Sequence, residues 1–89
     1  MRVARRFLIS GRVQGVGFRW FAQNAAIREG VCGWVTNLDD GRVEAFVEGD
    51  EESVTRVERA LRSGPPGGRV DDVSVVEDQP GSLKGFFIR

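Results

Sequence analysis

The chain has 89 residues, of which 40% are hydrophobic and 29% charged. This mixture is typical of a globular protein, and the length predicts one domain over residues 1–89. Thirteen basic residues balance thirteen acidic ones, so the formal net charge is zero. A balanced charge argues against a nucleic-acid partner that is held by a basic field, although it leaves room for one local anion site.

The absence of histidine and the presence of a single cysteine narrow the possible catalytic chemistry. The chain contains no histidine, which excludes Ser–His triads, Cys–His pairs, histidine bases and most zinc sites. Cys32 is the only cysteine, so no intramolecular disulfide forms and the fold does not depend on an oxidising compartment. No stretch approaches the roughly 18 apolar residues of a membrane span. We therefore expect a monomeric cytoplasmic protein without a membrane partner.

The first half of the chain predicts a strand, a loop and a helix. Residues 3–12 alternate in polarity and predict a strand. A glycine-rich loop follows, and a helix begins near Gly17 or Phe18 and ends at Gly30. The buried stripe of this helix is predicted to consist of Phe18, Phe21, Ala22, Ala25, Ala26 and Glu29.

The next segment predicts a hairpin over residues 31–48. The first strand covers 31–38, and Asp39-Asp40-Gly41 forms the turn, since Asp-Gly is a strong hairpin signal. The second strand covers 42–48. Its inward residues are expected to be Val43, Ala45 and Val47, and its outward residues Glu44 and Glu48.

A second helix is expected after the hairpin, with Asp50 as its cap and a buried stripe of Val54, Val57 and Leu61. Glycines and prolines at 64–68 end it, a strand follows at 70–77, and a short strand covers 86–88. The order β-α-β-β-α-β, with this tail strand, predicts an α+β sandwich of the ferredoxin-like type. Its two helices lie on one face of an antiparallel sheet.

The loop before the first helix is the best candidate for an anion site. Gly15 and Gly17 allow a sharp turn, and main-chain N–H groups from Gln14 through Arg19 are placed to converge beside a helix N-terminus. The guanidinium of Arg19 is placed to close over this nest. In the alternative interpretation the glycines only make a tight connection and Arg19 is a surface salt-bridge partner. Spacing alone favours that alternative.

Two segments resemble the signatures of the acylphosphatase family. GRVQGVGFR at 11–19 is similar to its signature loop, and GWVTN at 33–37 followed by DGRVE at 40–44 is similar to its second signature. Arg19 and Asn37 are 18 positions apart, as in the family pattern. The resemblance extends from the first strand to Arg89.

The resemblance implies an enzyme that hydrolyses the carboxyl–phosphate bond of acyl phosphates. It implies that Asn37 holds the attacking water and that Arg19 binds the phosphate. The implied substrate-binding residues are Gln14, Gly15, Val16, Gly17, Phe18 and Arg19. The expected partners are a small-molecule acyl phosphate and, in the same site, inorganic phosphate or another anion. Two positions depart from the family: position 36 is Thr where a basic residue is common, and position 29 is Glu where an apolar one is usual. Neither is expected to touch the site.

This chemistry is compatible with a chain that lacks histidine. A carboxylate is already a good leaving group, so no general acid is needed to protonate it. Phosphoryl transfer depends mainly on positioning and on charge stabilisation. The scheme therefore uses no metal and no cofactor.

Two other functions remain open at this point. An RNA-binding module shares the element order, and Lys84-Gly85-Phe86-Phe87 resembles its aromatic strand motif. However, that motif belongs on the third strand, which here is acidic. The second alternative is a phosphate-binding regulatory module without turnover.

Overall fold

The computed structural model describes residues 1–89, which form a five-stranded sheet and two helices. The elements in chain order are β1 (Arg2–Arg12), α1 (Phe18–Glu29), β2 (Cys32–Asn37), β3 (Val43–Asp50), α2 (Glu51–Ser63), β4 (Arg69–Asp78) and β5 (Phe86–Ile88). Every element predicted from the sequence is present, with boundaries within about two residues of those expected. Neither helix is long and apolar enough to cross a membrane.

The strands are arranged in the order β4-β1-β3-β2-β5. The four longer strands pair antiparallel, and the two central strands, β1 and β3, run in register from Arg2 opposite Asp50 to Ile9 opposite Val43. β5 pairs parallel with β2, with Val35 opposite Ile88. The ferredoxin-like fold is confirmed, and the tail strand makes the sheet mixed rather than purely antiparallel.

The hydrophobic core lies between the helices and one face of the sheet. Side chains that alternate along the strands, such as Phe7 and Ile9 on β1, point to this face and are fully buried. The helices contribute stripes at the predicted spacing: Phe18, Ala22, Ala25 and Ala26 from α1, and Val54, Val57 and Leu61 from α2. Because both helices join one continuous cluster, both lie on the same face.

Two predicted helix features differ in detail. Asp50 precedes α2 with an extended backbone, but its side chain accepts no capping hydrogen bond from the helix. Glu29, at the end of α1, lies only partly buried because its carboxylate pairs with Arg56 of α2 at 2.7 Å. The acidic residue at position 29 therefore links the two helices. This pairing raises the pKa of Arg56, chiefly through the hydrogen bond to Glu29.

Glu48, predicted to be an outward residue of β3, is buried rather than exposed. Its side chain faces the side of the sheet away from the helices, as the alternation requires, but it is 0% exposed. The segment after β4 folds over it, and its carboxylate accepts hydrogen bonds from the N–H groups of Gly81 and Leu83, the latter at 3.0 Å. The guanidinium nitrogen Nη2 of Arg2 lies 3.6 Å from Oε2 of the same carboxylate. Alternation indicated the correct face, but it could not show that the chain returns to cover that face.

Candidate active site

A cleft of about 290 Å³ opens beside the loop that joins β1 to α1. It is lined by Val13, Gly15, Gly17, Phe18, Arg19, Trp20, Asn37 and Ile88. The lining therefore brings together side chains from the loop, the start of α1, the end of β2 and β5. Arg19 and Asn37, which are 18 positions apart in the sequence, face the same space.

The loop main chain has the conformation that only glycine adopts without strain. Gly15 and Gly17 have φ values of 73° and 78°. A Cβ atom added at either position would have no neighbour within 4 Å, so the space beside each glycine is open. Gly17 is also the residue that precedes α1, and no side chain caps the helix there. The first N–H groups of α1 thus lack a side-chain partner at the positive end of the helix dipole.

Gln14 fastens the loop to the hairpin turn that follows β2. Its side-chain nitrogen donates to the main-chain oxygen of Leu38 at 2.7 Å and to that of Arg42 at 3.0 Å. Leu38 N–H donates to the Arg42 oxygen in turn, at 2.8 Å. This link holds the loop next to the turn and therefore next to Asn37, the residue before Leu38. The side chain of Gln14 thus has a positioning contact that the sequence did not reveal.

Arg19 is held by Arg89, the residue that follows β5. Its Nη1 donates to the main-chain oxygen of Arg89 at 3.1 Å. The hydroxyl of Thr36 donates to the same oxygen at 3.3 Å. Thr36 is not among the residues that line the cleft, but it is linked to the site indirectly, because it shares the Arg89 oxygen with Arg19. The guanidinium is held in place while most of its donors stay available.

Asn37 is the last residue of β2, opposite Val43 of β3. An asparagine before Asp39-Asp40-Gly41 also suits a turn residue that hydrogen-bonds its own backbone. In the structure, however, Asp40 performs the turn function: its carboxylate accepts from the Arg42 N–H at 3.0 Å and from Arg42 Nε at 2.8 Å. These contacts with Arg42, the main-chain one first, lower the pKa of Asp40. The acidic turn is therefore paired with a cation close to Asn37.

The apolar lining of the cleft includes the predicted Phe18 together with three residues that the sequence did not indicate: Val13, Trp20 and Ile88. Val13 and Phe18 form an apolar floor and are almost fully buried. Trp20 and Ile88 lie at the rim, with 66% and 40% exposure. Of the predicted binding residues, Gln14 and Val16 are not among those that line the cleft. A strand-to-helix motif indicates the loop, but it carries no information about Ile88, which β5 delivers from the far end of the chain.

The two tryptophans of the chain have different surroundings. Trp34 lies on the open face of the sheet and stacks on Phe46, with ring centroids 6.2 Å apart. The guanidinium groups of Arg6 and Arg89 approach the Trp34 ring to 5.5 and 4.6 Å. This aromatic pair is covered by cations of its own chain, unlike the free aromatic platform that an RNA-binding sheet presents.

Comparison with known proteins identifies the family of the chain. The acylphosphatase family model matches residues 5–88. An acylphosphatase from Anaeromyxobacter dehalogenans is 52% identical over 99% of this chain and 96% of its own length. The crystal structure of acylphosphatase from Bacillus subtilis superposes with a TM-score of 0.95 at 41% identity, covering 98% of each chain. A structure of full-length HypF, in its phosphate- and nucleotide-bound form, contains a similar region at 32% identity and a TM-score of 0.88. The match covers all of this chain but only 12% of the HypF chain.

The family match, the relatives and the fold all lead to one assignment. The model covers nearly the whole chain, and relatives of about 50% identity carry the same name along nearly their full length. The chain belongs to the acylphosphatase family of hydrolases.

Proposed function

We propose that the chain hydrolyses small-molecule acyl phosphates to a carboxylate and inorganic phosphate by direct attack of water on phosphorus. The observation that carries the proposal is the cleft in which Arg19 and Asn37 meet the open glycine loop. An anion-binding loop, a fixed cation and a carboxamide are together sufficient for phosphoryl transfer to water, because this reaction needs chiefly positioning and charge stabilisation.

The first step is capture of the phosphoryl group. Main-chain N–H groups of the loop, over Gln14 to Arg19, point to the phosphoryl oxygens, and the uncapped end of α1 adds its positive dipole. Arg19 adds a planar fork that suits phosphate. Its hydrogen bond to the Arg89 oxygen orients the fork before substrate arrives, which reduces the ordering cost of binding.

The second step is the attack of water. The carboxamide oxygen of Asn37 accepts a hydrogen bond from the water, and its NH₂ group donates to a phosphoryl oxygen, so that one side chain aligns both reactants. No strong side-chain base lines the cleft. A non-bridging oxygen of the substrate phosphate therefore takes the water proton. The carboxylate leaves without protonation, because it is a stable anion at neutral pH.

Turnover of benzoyl phosphate is the direct test. The wild-type chain is expected to hydrolyse it, whereas a regulatory module that only binds phosphate would not. Arg19→Ala is expected to remove nearly all activity, because the cation that stabilises the transition state is lost; one such donor is worth about 10²–10³ in turnover. Wild-type turnover by this variant would disprove the role of Arg19.

Asn37→Ala separates the roles of the two side chains. A group that orients water affects the chemical step, so turnover should fall more than the affinity for inorganic phosphate, measured as a competitive inhibitor. Equal losses in turnover and in phosphate affinity would show that Asn37 binds the phosphate instead. Asp39→Ala is the matched control, because Asp39 is an exposed residue of the same hairpin outside the cleft lining.

The wider setting is part of the same proposal. We take residues 1–89 as one domain that acts as a cytoplasmic monomer, without cofactor, membrane or nucleic acid. Sedimentation equilibrium tests the monomer. A gel shift with single-stranded RNA at low salt, where electrostatic binding is strongest, tests the rival RNA-binding function.

A further inference from the structure

We propose that the cleft contains an acyl-group subsite in which Trp20 is the specificity-determining residue, so that aromatic or extended apolar acyl phosphates are preferred over acetyl phosphate. This inference rests on the proposed function, since it assigns the substrate class of the same site. Neither the sequence motifs nor the family assignment identifies an acyl group.

The cleft has more surface than a phosphoryl group uses. Its polar members, Arg19, Asn37 and the glycine loop, account for the phosphate and the water. Four of its eight lining residues are hydrophobic. Val13 and Phe18 are 1% and 2% exposed, so they form the floor and offer almost no free surface. The accessible apolar surface of the cleft therefore comes mainly from Trp20 and Ile88.

Trp20 is a large apolar side chain that is exposed and does not belong to the buried core cluster. It lies in the first turn of α1, directly after Arg19, and 66% of it is accessible to solvent. The aromatic contacts of the chain join Phe18 with Phe21 and Trp34 with Phe46, and the arginine–aromatic contacts involve Trp34 and Phe46. Both faces of the Trp20 ring are thus free of aromatic and cationic partners. A large exposed apolar side chain at the rim of a binding cleft is typical of a ligand contact.

The acyl group of a bound substrate must extend out of the phosphate cradle. The carboxyl carbon is joined to phosphorus through one oxygen, so its substituent starts close to the group that Arg19 holds. Because Trp20 lines the same cleft as Arg19, its indole is a neighbour of a substituent that extends from the phosphate site. An aromatic acyl group stacks on the indole, whereas an acetyl group is too small to cover it.

The contact is expected to act on binding rather than on the chemical step. The acyl group touches Trp20 in the ground state and in the transition state alike, and such uniform binding appears in KM with kcat unchanged. Trp20→Ala should therefore raise the KM for benzoyl phosphate by roughly fivefold, as expected for one lost aromatic pair, and should leave acetyl phosphate nearly unaffected. Inhibition by inorganic phosphate, which has no acyl group, should be unchanged.

Two further variants act as controls. Trp20→Phe keeps an aromatic surface and should retain most of the preference for benzoyl phosphate. Ile27→Ala removes a side chain of the same helix that is 63% exposed and outside the cleft lining, so it should change neither substrate. Equal changes for both substrates in Trp20→Ala, or weaker phosphate inhibition, would overturn the subsite, because Trp20 would then support the cradle itself.

A binding measurement separates failure of this inference from failure of the proposed function. Phenylphosphonate and methylphosphonate cannot be hydrolysed as acyl phosphates, and calorimetry gives their affinities without turnover. Wild type should bind phenylphosphonate several-fold more tightly, and Trp20→Ala should lose that difference. Selective binding without hydrolysis would contradict the proposed catalysis and support the subsite. Hydrolysis of benzoyl phosphate without such selectivity would support catalysis and disprove the subsite.

Discussion

The buried carboxylate of Glu48 and the cleft around Arg19 are two charged regions that differ in how far their hydrogen-bonding groups are used within the chain. Glu48 is fully buried, and its oxygens are occupied by the N–H groups of Gly81 and Leu83 and by nearby Arg2. Arg19 is partly exposed, and its one hydrogen bond within the chain goes to a main-chain oxygen. A buried charge with satisfied partners indicates a structural role, and a fixed charge with spare donors indicates a ligand.

One segment of chain joins the two regions. Residues 79–84 fold over Glu48, and β5 follows them and leads to Arg89, which accepts from Arg19. The hydrogen bond from Gln23 to the Phe86 oxygen, at 3.0 Å, fastens the same segment to α1. Glu48 therefore anchors the segment that carries part of the wall of the cleft, whereas Arg19 faces the cleft itself.

The largest expected difference appears when the charged residue of each region is replaced by alanine, because one variant should lose stability and the other should lose turnover. Glu48→Ala should lower the free energy of unfolding by about 3 kcal/mol, since charged hydrogen bonds at a buried site are lost. Arg19→Ala should change it by less than about 0.5 kcal/mol, as at other surface sites, while abolishing turnover. Urea denaturation and benzoyl phosphate assays measure both quantities.

Glu44→Gln is the control for Glu48, because Glu44 lies on the same face of β3 but is partly exposed and paired with Arg6. It should lose little stability. A Glu48→Ala protein as stable as wild type would show that the covering segment does not depend on this carboxylate.

A medium effect is expected for Gln14→Ala. The Leu38 and Arg42 oxygens keep main-chain donors, Gly41 N–H and Leu38 N–H, so the stability loss should be only about 1 kcal/mol. Turnover should fall roughly tenfold, because the loop and Asn37 lose their common fastening and misplacement is costly.

Gln23→Ala is the variant to compare with Gln14→Ala. It also removes a side-chain amide that donates to a main-chain oxygen, but Gln23 is not among the residues that line the cleft. It should reduce stability and, because it acts on the cleft only through the β5 segment, lower turnover less than Gln14→Ala does. If both variants lost activity equally, the link made by Gln14 would have no special importance for the site.

The smallest effect concerns pH and the hairpin turn. The pKa of Asp40 is lowered by Arg42, so the carboxylate adds stability at pH values above its unfolded pKa of about 3.9. That contribution disappears as the pH falls through the lower folded pKa. Thermal melts of Asp40→Asn should therefore show a slightly lower Tm than wild type at pH values near neutrality, and the two should converge in strong acid. Asp39→Asn, which removes the same charge without the Arg42 contact, should not reproduce this pattern; if it did, the turn contact would be irrelevant.

Much of the fold was predictable because its causes are local. Alternation along β1 and β3 and the stripe of Val54, Val57 and Leu61 record burial residue by residue, and glycines at 17 and 30 mark the ends of α1. The parallel pairing of β5 with β2 was not predictable, because it depends on how the segment 79–85 crosses from the edge strand β4 to the opposite edge.

The candidate site divides in the same way. By itself the sequence determined the glycine loop, Arg19 at the start of a helix, and Asn37 at the end of a strand, since short-range geometry and motif spacing are written in consecutive residues. Only the tertiary structure decided that Gln14 holds the loop to the hairpin, that Ile88 and Trp20 complete the cleft, and that Glu48 is buried. These contacts join residues that are distant in the sequence, or depend on which surfaces the finished packing leaves open, and no local pattern encodes either.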